Sequence, residues 1–228
     1  LKICIITNKY KYKQMNLDLE ITHVQNIYNQ IAKEFDNTRK HNFWVSVTNH
    51  INSINPNSKI LDLGCGNGKY IPLFKSTQDL YALDNSEEFI KIVNSRYPHV
   101  KTFLSDVTDT KLESDYFDNI ISVAVIHHLA TIDRRVQMIK EIYRILKING
   151  TAMITAWAIS AYNKKFIKLT GTNDFLVPWN HQSNRYYHLF ELNEFEELIE
   201  SAGLEDKVVI TFKIFECDNY AIIIKKLS

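Results

Sequence analysis

The segment that most constrains this chain is a short apolar run passing directly into alternating glycines. Residues 59–63 read as a buried strand, and Gly64, Gly66 and Gly68 follow at once. Glycines allow a backbone to turn sharply and to approach a ligand closely. A strand that ends in such a loop belongs to a doubly wound sheet, at the strand ends where nucleotide-like cofactors bind. The spacing is not the dinucleotide fingerprint G-x-G-x-x-G, because the third glycine falls one residue early. No G-K-[ST] follows, which excludes a nucleoside triphosphate P-loop. Asp62 stands two residues before the first glycine. An acid there suits a cofactor carrying positive charge and would repel a pyrophosphate.

The rest of the pattern supports such a sheet. Apolar residues recur at helical spacing over residues 18–41, and a second helix is expected over 43–54, ended by Asn55-Pro56-Asn57. Further strands are expected at 80–83, 100–104, 117–125 and 151–157, alternating with helices at 86–97 and 133–146. Strand–helix alternation implies a parallel sheet with helices on both faces. Residues 158–190 lack clean periodicity and read as an insertion. A helix at 192–202 precedes two strands, 208–215 and 220–225, whose short polar connection implies an antiparallel hairpin at the sheet edge. The expectation is a seven-stranded, mostly parallel α/β sheet. Residues 19–228 would form one domain, with 1–18 as an N-terminal extension, non-native or disordered, whose first 14 residues would lie upstream of a start at Met15 or be foreign to the protein.

With 228 residues, 45% apolar and 23% charged, the chain is neither disordered nor fibrous. No window reaches the ~20 apolar residues of a membrane span. Cys4, Cys65 and Cys217 lie far apart and form no C-x-x-C pair, which points to a reduced cytosolic or nuclear compartment and to no metal site built by this chain alone. The net charge is +1, so a nucleic-acid partner would have to be held by a local patch. Lysine outnumbers arginine 21 to 6. Codon drift explains that bias, and it draws attention to the positions where arginine is kept.

Asp62-x-Gly64-x-Gly66-x-Gly68 resembles the first motif of class I S-adenosylmethionine-dependent methyltransferases, which have a Rossmann-like fold. The resemblance implies that Asp84, at the end of the second strand, holds the ribose hydroxyls, and that Asp106, ending the third, faces the adenine amino group. Two neighbouring hydroxyls and one carboxylate make a bidentate pair. Tyr28, Asn85, Val107 and Ala124 complete the implied cofactor set. The downstream motifs are more specific. Residues 124–136, Ala-Val-Ile-His-His-Leu-Ala-Thr-Ile-Asp-Arg-Arg-Val, together with residues 27–39, Val177-Pro178-Trp179 and Arg185-Tyr186-Tyr187-His188, resemble the tRNA methyltransferases that esterify 5-carboxymethyluridine at the wobble position. That family includes the methyltransferase domain of the AlkB-type hydroxylase fusion. The resemblance runs from about residue 20 to the end. Two positions depart from it: Asn85 stands where the family usually has Arg, and Phe43-Trp44-Val45 where it has Pro-Trp-Pro.

The implied acceptor is a carboxylate, with a pKa of ~4, so it is already a nucleophile at neutral pH and needs no general base. Proximity in a pocket of low polarity would supply most of the acceleration. A cation could hold the other oxygen. Arg39, His128, Arg134, Arg135 and Arg185 are candidates for that role. Of the Arg134–Arg135 pair, one could face the tRNA and the other solvent. Arg185, Tyr186, Tyr187 and His188 could meet unpaired anticodon bases, or the aromatics could pack the insertion. Lys164, Lys165 and Lys168 could contact phosphates or simply keep a loop soluble. Trp44 and Trp179 read as core. The family also implies a small zinc-binding activator protein as partner. Two other readings compete: a small-molecule methyltransferase on the same sheet, and a cofactor-binding scaffold without catalysis.

Overall fold

A computed structural model describes residues 18–38, 42–169, 173–179 and 183–228. The expected N-terminal extension therefore falls almost wholly outside the described residues, and Arg39 falls outside them as well.

The main sheet has seven strands: β1 (Lys59–Leu63), β2 (Asp79–Asp84), β3 (Lys101–Leu104), β4 (Phe117–Ser122), β5 (Leu146–Trp157), β9 (Val208–Glu216) and β10 (Asn219–Lys226). Their spatial order is β3-β2-β1-β4-β5-β10-β9. The first five are mutually parallel, and β10 runs antiparallel to both β5 and β9. The doubly wound sheet and its closing hairpin are as the alternation implies. Alternate strand residues feed opposite cores. Leu61, Leu63, Phe117 and Ile120 pack with α4 (Ile132–Ile145) and α5 (Glu194–Ser201). Ile60, Leu80 and Ala82 pack with α3 (Glu87–Arg96) on the other face, where α2 (Val45–Ser53) also lies against Ile121 and Met153. In α4, Met138, Ile139, Ile142 and Ile145 recur at helical spacing and are fully buried, each stabilising by about 1.5–3 kcal/mol.

The region after β5 departs from expectation. It forms a second, three-stranded antiparallel sheet: β6 (Ile167–Lys168), β7 (Asp174–Trp179) and β8 (Ser183–His188). Pro178 interrupts the strand signal of β7, and in β8 both faces are covered, so neither strand shows apolar–polar alternation. Helix α1 (Asn26–Thr38) is preceded by a π-helical turn, Ile21–Gln25. It lies near α3 and β8, over the carboxyl ends of the central strands.

Candidate active site

The carboxyl ends of β1, β2 and β4, the segment after β3, helix α1 and β8 enclose a cavity of about 510 Å³. Its two ends differ in charge.

The first end is acidic. Asp62 lies buried near the end of β1, and among the described residues no donor hydrogen-bonds to it. Burial, reinforced by the charge of Asp84, pushes its carboxyl up to about 7. Asp84 closes β2. Its Oδ2 accepts the Gly66 N–H and its Oδ1 the Ser86 N–H, both at 2.9 Å. Burial raises its pKa too, against those two hydrogen bonds. The loop between them needs its glycines. Gly64 has φ +78°, and a Cβ there would lie 2.4 Å from Val125 Cγ2. Gly66 has φ +52° and an added Cβ would meet nothing within 4 Å, so this loop opens onto the cavity. Gly68 also has positive φ and packs toward α3. Val107, Asn85 and Ala124 line the same space. Ala124 has φ +61°, a left-handed conformation that a non-glycine residue adopts at some cost, and its N–H is held by Thr155 Oγ1 at 2.8 Å.

Asp106 belongs to a junction in which every group is paired. Its Oδ1 accepts the Thr108 N–H at 2.8 Å, and its Oδ2 meets Arg134 Nη2 at 2.7 Å. Burial pushes its pKa up, but Arg134 and Thr108 bring it below the usual value. Arg134 spends its remaining donors on Glu20 Oε2 (2.8 Å) and Thr108 Oγ1 (2.8 Å). Glu20 Oε1 also accepts the Ala130 N–H at 2.7 Å. Arg134 lines the cavity, yet it is neither turned to solvent nor a spare cation. It clamps the start of the N-terminal helical segment onto Asp106.

The second end is aromatic and carries one cation. Arg185 on β8 is 4% exposed. Its guanidinium carbon lies 4.8, 5.2 and 5.9 Å from the ring centroids of Trp179, Tyr187 and Tyr28. Its hydrogen bond to Tyr28 Oη is long, 3.4 Å, and its Nε has no partner among the described residues. No described carboxylate pairs with it.

Two histidines complete this end, in a 3-10 turn after β4 (Ile126–His128). His128 Nδ1 lies 2.8 Å from the Tyr186 carbonyl oxygen, which can only accept, so the proton is on Nδ1. Nε2 then accepts from Tyr28 Oη at 2.9 Å. Burial pushes the His128 pKa down to about 3, and the ring is neutral. His127 Nδ1 accepts the Trp157 N–H at 3.1 Å, which puts its proton on Nε2, and that buried atom has no partner among the described residues. Burial keeps His127 neutral as well. His128 is therefore not a cation that could hold an acceptor carboxylate.

Strand alternation divides the Arg185-Tyr186-Tyr187-His188 motif. Arg185 and Tyr187 line the cavity. Tyr186 and His188 point the other way and are buried, so neither is a platform for RNA bases. Tyr186 Oη donates to Asp174 Oδ1 (2.7 Å), and His188 bridges Asp174 (2.6 Å) and Glu194 (2.7 Å), which raise its pKa against burial. Arg135 is a further correction. It is 6% exposed, donates to the Leu129 carbonyl at 2.9 Å and lies 3.6 Å from Glu194, outside the cavity lining. Lys164 and Lys165 are exposed in the loop before β6 and do not line the cavity. Tyr28 lines it with its hydroxyl turned to His128. Trp179 is buried as expected, whereas Trp44 also borders the cavity. Sequence reasoning assigned no role in the site to His127 or Glu20, and it grouped Tyr187 with Tyr186 and His188 without separating them. Strand alternation in the Arg-Tyr-Tyr-His motif would have pointed to Tyr187. No comparable signal points to Glu20, because its partners lie over a hundred positions away.

Comparisons with known proteins agree with this geometry. Residues 61–154 match the family model described as a methyltransferase domain. A Schizosaccharomyces pombe tRNA (carboxymethyluridine(34)-5-O)-methyltransferase is 32% identical over 215 residues, covering 83% of this chain and 91% of that protein. The Mus musculus tRNA (carboxymethyluridine(34)-5-O)-methyltransferase ALKBH8 is 37% identical over 145 residues, 63% of this chain, and there the match spans only 21% of the larger protein. Among solved structures, a SAM-dependent methyltransferase from Methanosarcina mazei superposes with a TM-score of 0.68 at 16% identity, covering 82% of this chain and 99% of that one. A chain from the Haloferax volcanii complex of the Trm112 methyltransferase activator with a methyltransferase gives 0.67 at 13% identity, covering 88% and 98%. The acidic end fits S-adenosylmethionine: Asp62 and Asp84 face the cavity with no cation paired to them among the described residues, and the glycine loop leaves open space beside them. The chain belongs to the family of S-adenosylmethionine-dependent tRNA (carboxymethyluridine(34)-5-O)-methyltransferases.

Proposed function

We propose that this chain esterifies the carboxylate of 5-carboxymethyluridine at the wobble position of a tRNA anticodon. The observation that carries this reading is the protonation state of the two cavity histidines. His128 has both nitrogens engaged, and His127 carries its proton on the nitrogen left free, so neither can remove a proton from an acceptor. A carboxylate needs no such base, because it brings its own negative charge.

S-adenosylmethionine, when bound, supplies an electrophilic methyl group: the acceptor's lone pair makes the new O–C bond, the S–C bonding pair stays on sulfur, and no proton moves. Asp62 would hold its positive charge, Asp84 and Asn85 its ribose, and Asp106 and Val107 the adenine side, with the backbone of residues 64–68 beneath. The paired state of Asp106 leaves its carboxylate less available than the others, which shifts weight to Asp62 and Asp84. The aromatic rings of the far end exclude water and position the acceptor. Exposed Lys164 and Lys165 would meet tRNA phosphates, which makes binding salt-dependent. Among the described residues no helix is long and apolar enough to cross a membrane. We place the enzyme in the cytosol or nucleus, with a small zinc-binding activator protein as partner. The fold shared with the Haloferax volcanii activator complex supports that partner.

The test is nucleoside mass spectrometry of tRNA incubated with enzyme and S-adenosylmethionine, with and without the activator. The methyl ester of 5-carboxymethyluridine is expected. Methyl transfer to a small metabolite, with none to tRNA, would reverse the reading.

A further inference from the structure

We propose that Arg185 and the Nε2–H of His127 together bind the acceptor carboxylate and make the cavity select an anionic acceptor over a neutral one of the same shape. This rests on the methyl-transfer reading above.

Three observations carry it. Arg185 is a buried guanidinium with no carboxylate partner among the described residues, a long hydrogen bond and an orphaned Nε. A guanidinium cannot escape burial by losing its proton, so an unpaired one is costly until an anion arrives. His127 presents a second orphaned donor, and the Trp157 N–H fixes which nitrogen carries the proton. Both side chains line the same cavity and meet on one ring: Tyr187 stacks on His127 at 4.8 Å and 15°, and the Arg185 guanidinium carbon lies 5.2 Å from its centroid. The acids of the cavity sit at its other end or are spent on Arg134, so they do not compete for this cation. One carboxylate oxygen can take the guanidinium while the other stays free to attack. Esterification removes the charge, so the same donors hold the product less strongly than the substrate. A charge-assisted hydrogen bond of this kind is worth roughly 10- to 100-fold in affinity.

The experiment measures equilibrium binding of the full chain, without S-adenosylmethionine, to three anticodon stem-loops. They differ only at the wobble base: 5-carboxymethyluridine, the corresponding amide, or uridine. The wild-type chain should prefer the acid to the amide by roughly 10- to 100-fold. Arg185→Met should erase that preference and leave the uridine loop bound as before. His127→Phe should weaken the preference, and His127→Gln should restore part of it. Arg185→Met keeping the preference, or losing affinity for all three loops equally, overturns the proposal, as does a wild-type chain that does not prefer the acid. Binding of S-adenosylhomocysteine reports whether each variant is folded. If Arg185→Met fails that check, Arg185→Lys decides: it keeps the charge without the fork, so the preference should fall by about threefold or more, and an unchanged preference refutes the proposal. Ester formation by the wild type is scored separately. Preference for the acid without any ester sinks the catalytic reading alone, whereas ester formation with the preference intact in Arg185→Met sinks the carboxylate site alone.

Discussion

The two ends of the cavity are electrostatic opposites. Among the described residues, one holds Asp62 and Asp84 with no cation paired to them; the other holds Arg185 with no carboxylate paired to it. Between them, Arg134 is shared by Glu20 and Asp106, and the three leave few donors or acceptors unused. The contrast separates binding from support. Charges left incomplete in a folded chain lower its stability and await a ligand of opposite sign. Charges completed within the chain hold its parts together. All three regions contain residues that family resemblance alone would group as one site.

The largest effect that would break this contrast is expected at Asp62. Asp62→Asn should weaken S-adenosylmethionine by about 100-fold in calorimetry, and should raise the melting temperature of the ligand-free chain because an unpaired buried acid is gone. A lower melting temperature would mean that Asp62 has a supporting role. Arg135→Ala should do the opposite. It removes a buried cation from the Leu129 carbonyl and from Glu194, and so should destabilise by about 3 kcal/mol in urea unfolding while the folded fraction still binds cofactor. Glu20→Gln loosens a clamp whose arginine side chain is 25% exposed, so about 1 kcal/mol is expected after solvent screening, with faster cofactor exchange.

The acidic end also predicts a pH dependence. The Asp62 carboxyl is raised to about 7 in the folded chain, from an ordinary value of 3.8. The folded state therefore holds this proton more tightly than the unfolded one. Its contribution to stability is present below the unfolded value and is lost as pH rises through about 7. Affinity for a cationic cofactor should move the other way, rising as the carboxylate forms. Calorimetry from pH 6 to 8 should show that rise, and Asp62→Asn should flatten it. The smallest effect is expected for Lys164→Ala with Lys165→Ala: a few-fold loss of tRNA affinity and a shallower salt dependence, read by filter binding across ionic strength.

The mostly parallel seven-stranded sheet, its closing hairpin and the glycine loop were legible in the sequence because they rest on local signals: a strand running into glycines, acids at strand ends, and helical periodicity in α4. The acceptor end was legible only in part. Arg134 and Arg135 are adjacent in sequence but face a clamp and a buried support, a difference set by helix geometry and by distant partners, Glu20 and Glu194. The small sheet of β6, β7 and β8 was hidden because β6 is only two residues long, β7 carries Pro178, and β8 is a run of polar and aromatic residues buried on both faces at its end. Only once β8 is known to be a strand does alternation separate Arg185 and Tyr187 from Tyr186 and His188.

The most direct test of the two-ended account is steady-state methylation of tRNA bearing wobble 5-carboxymethyluridine by the wild type, Asp62→Asn and Arg185→Lys. Asp62→Asn should raise KM for S-adenosylmethionine and leave KM for tRNA unchanged, and Arg185→Lys should do the reverse. Both variants raising both constants alike would show that the ends are not separate sites.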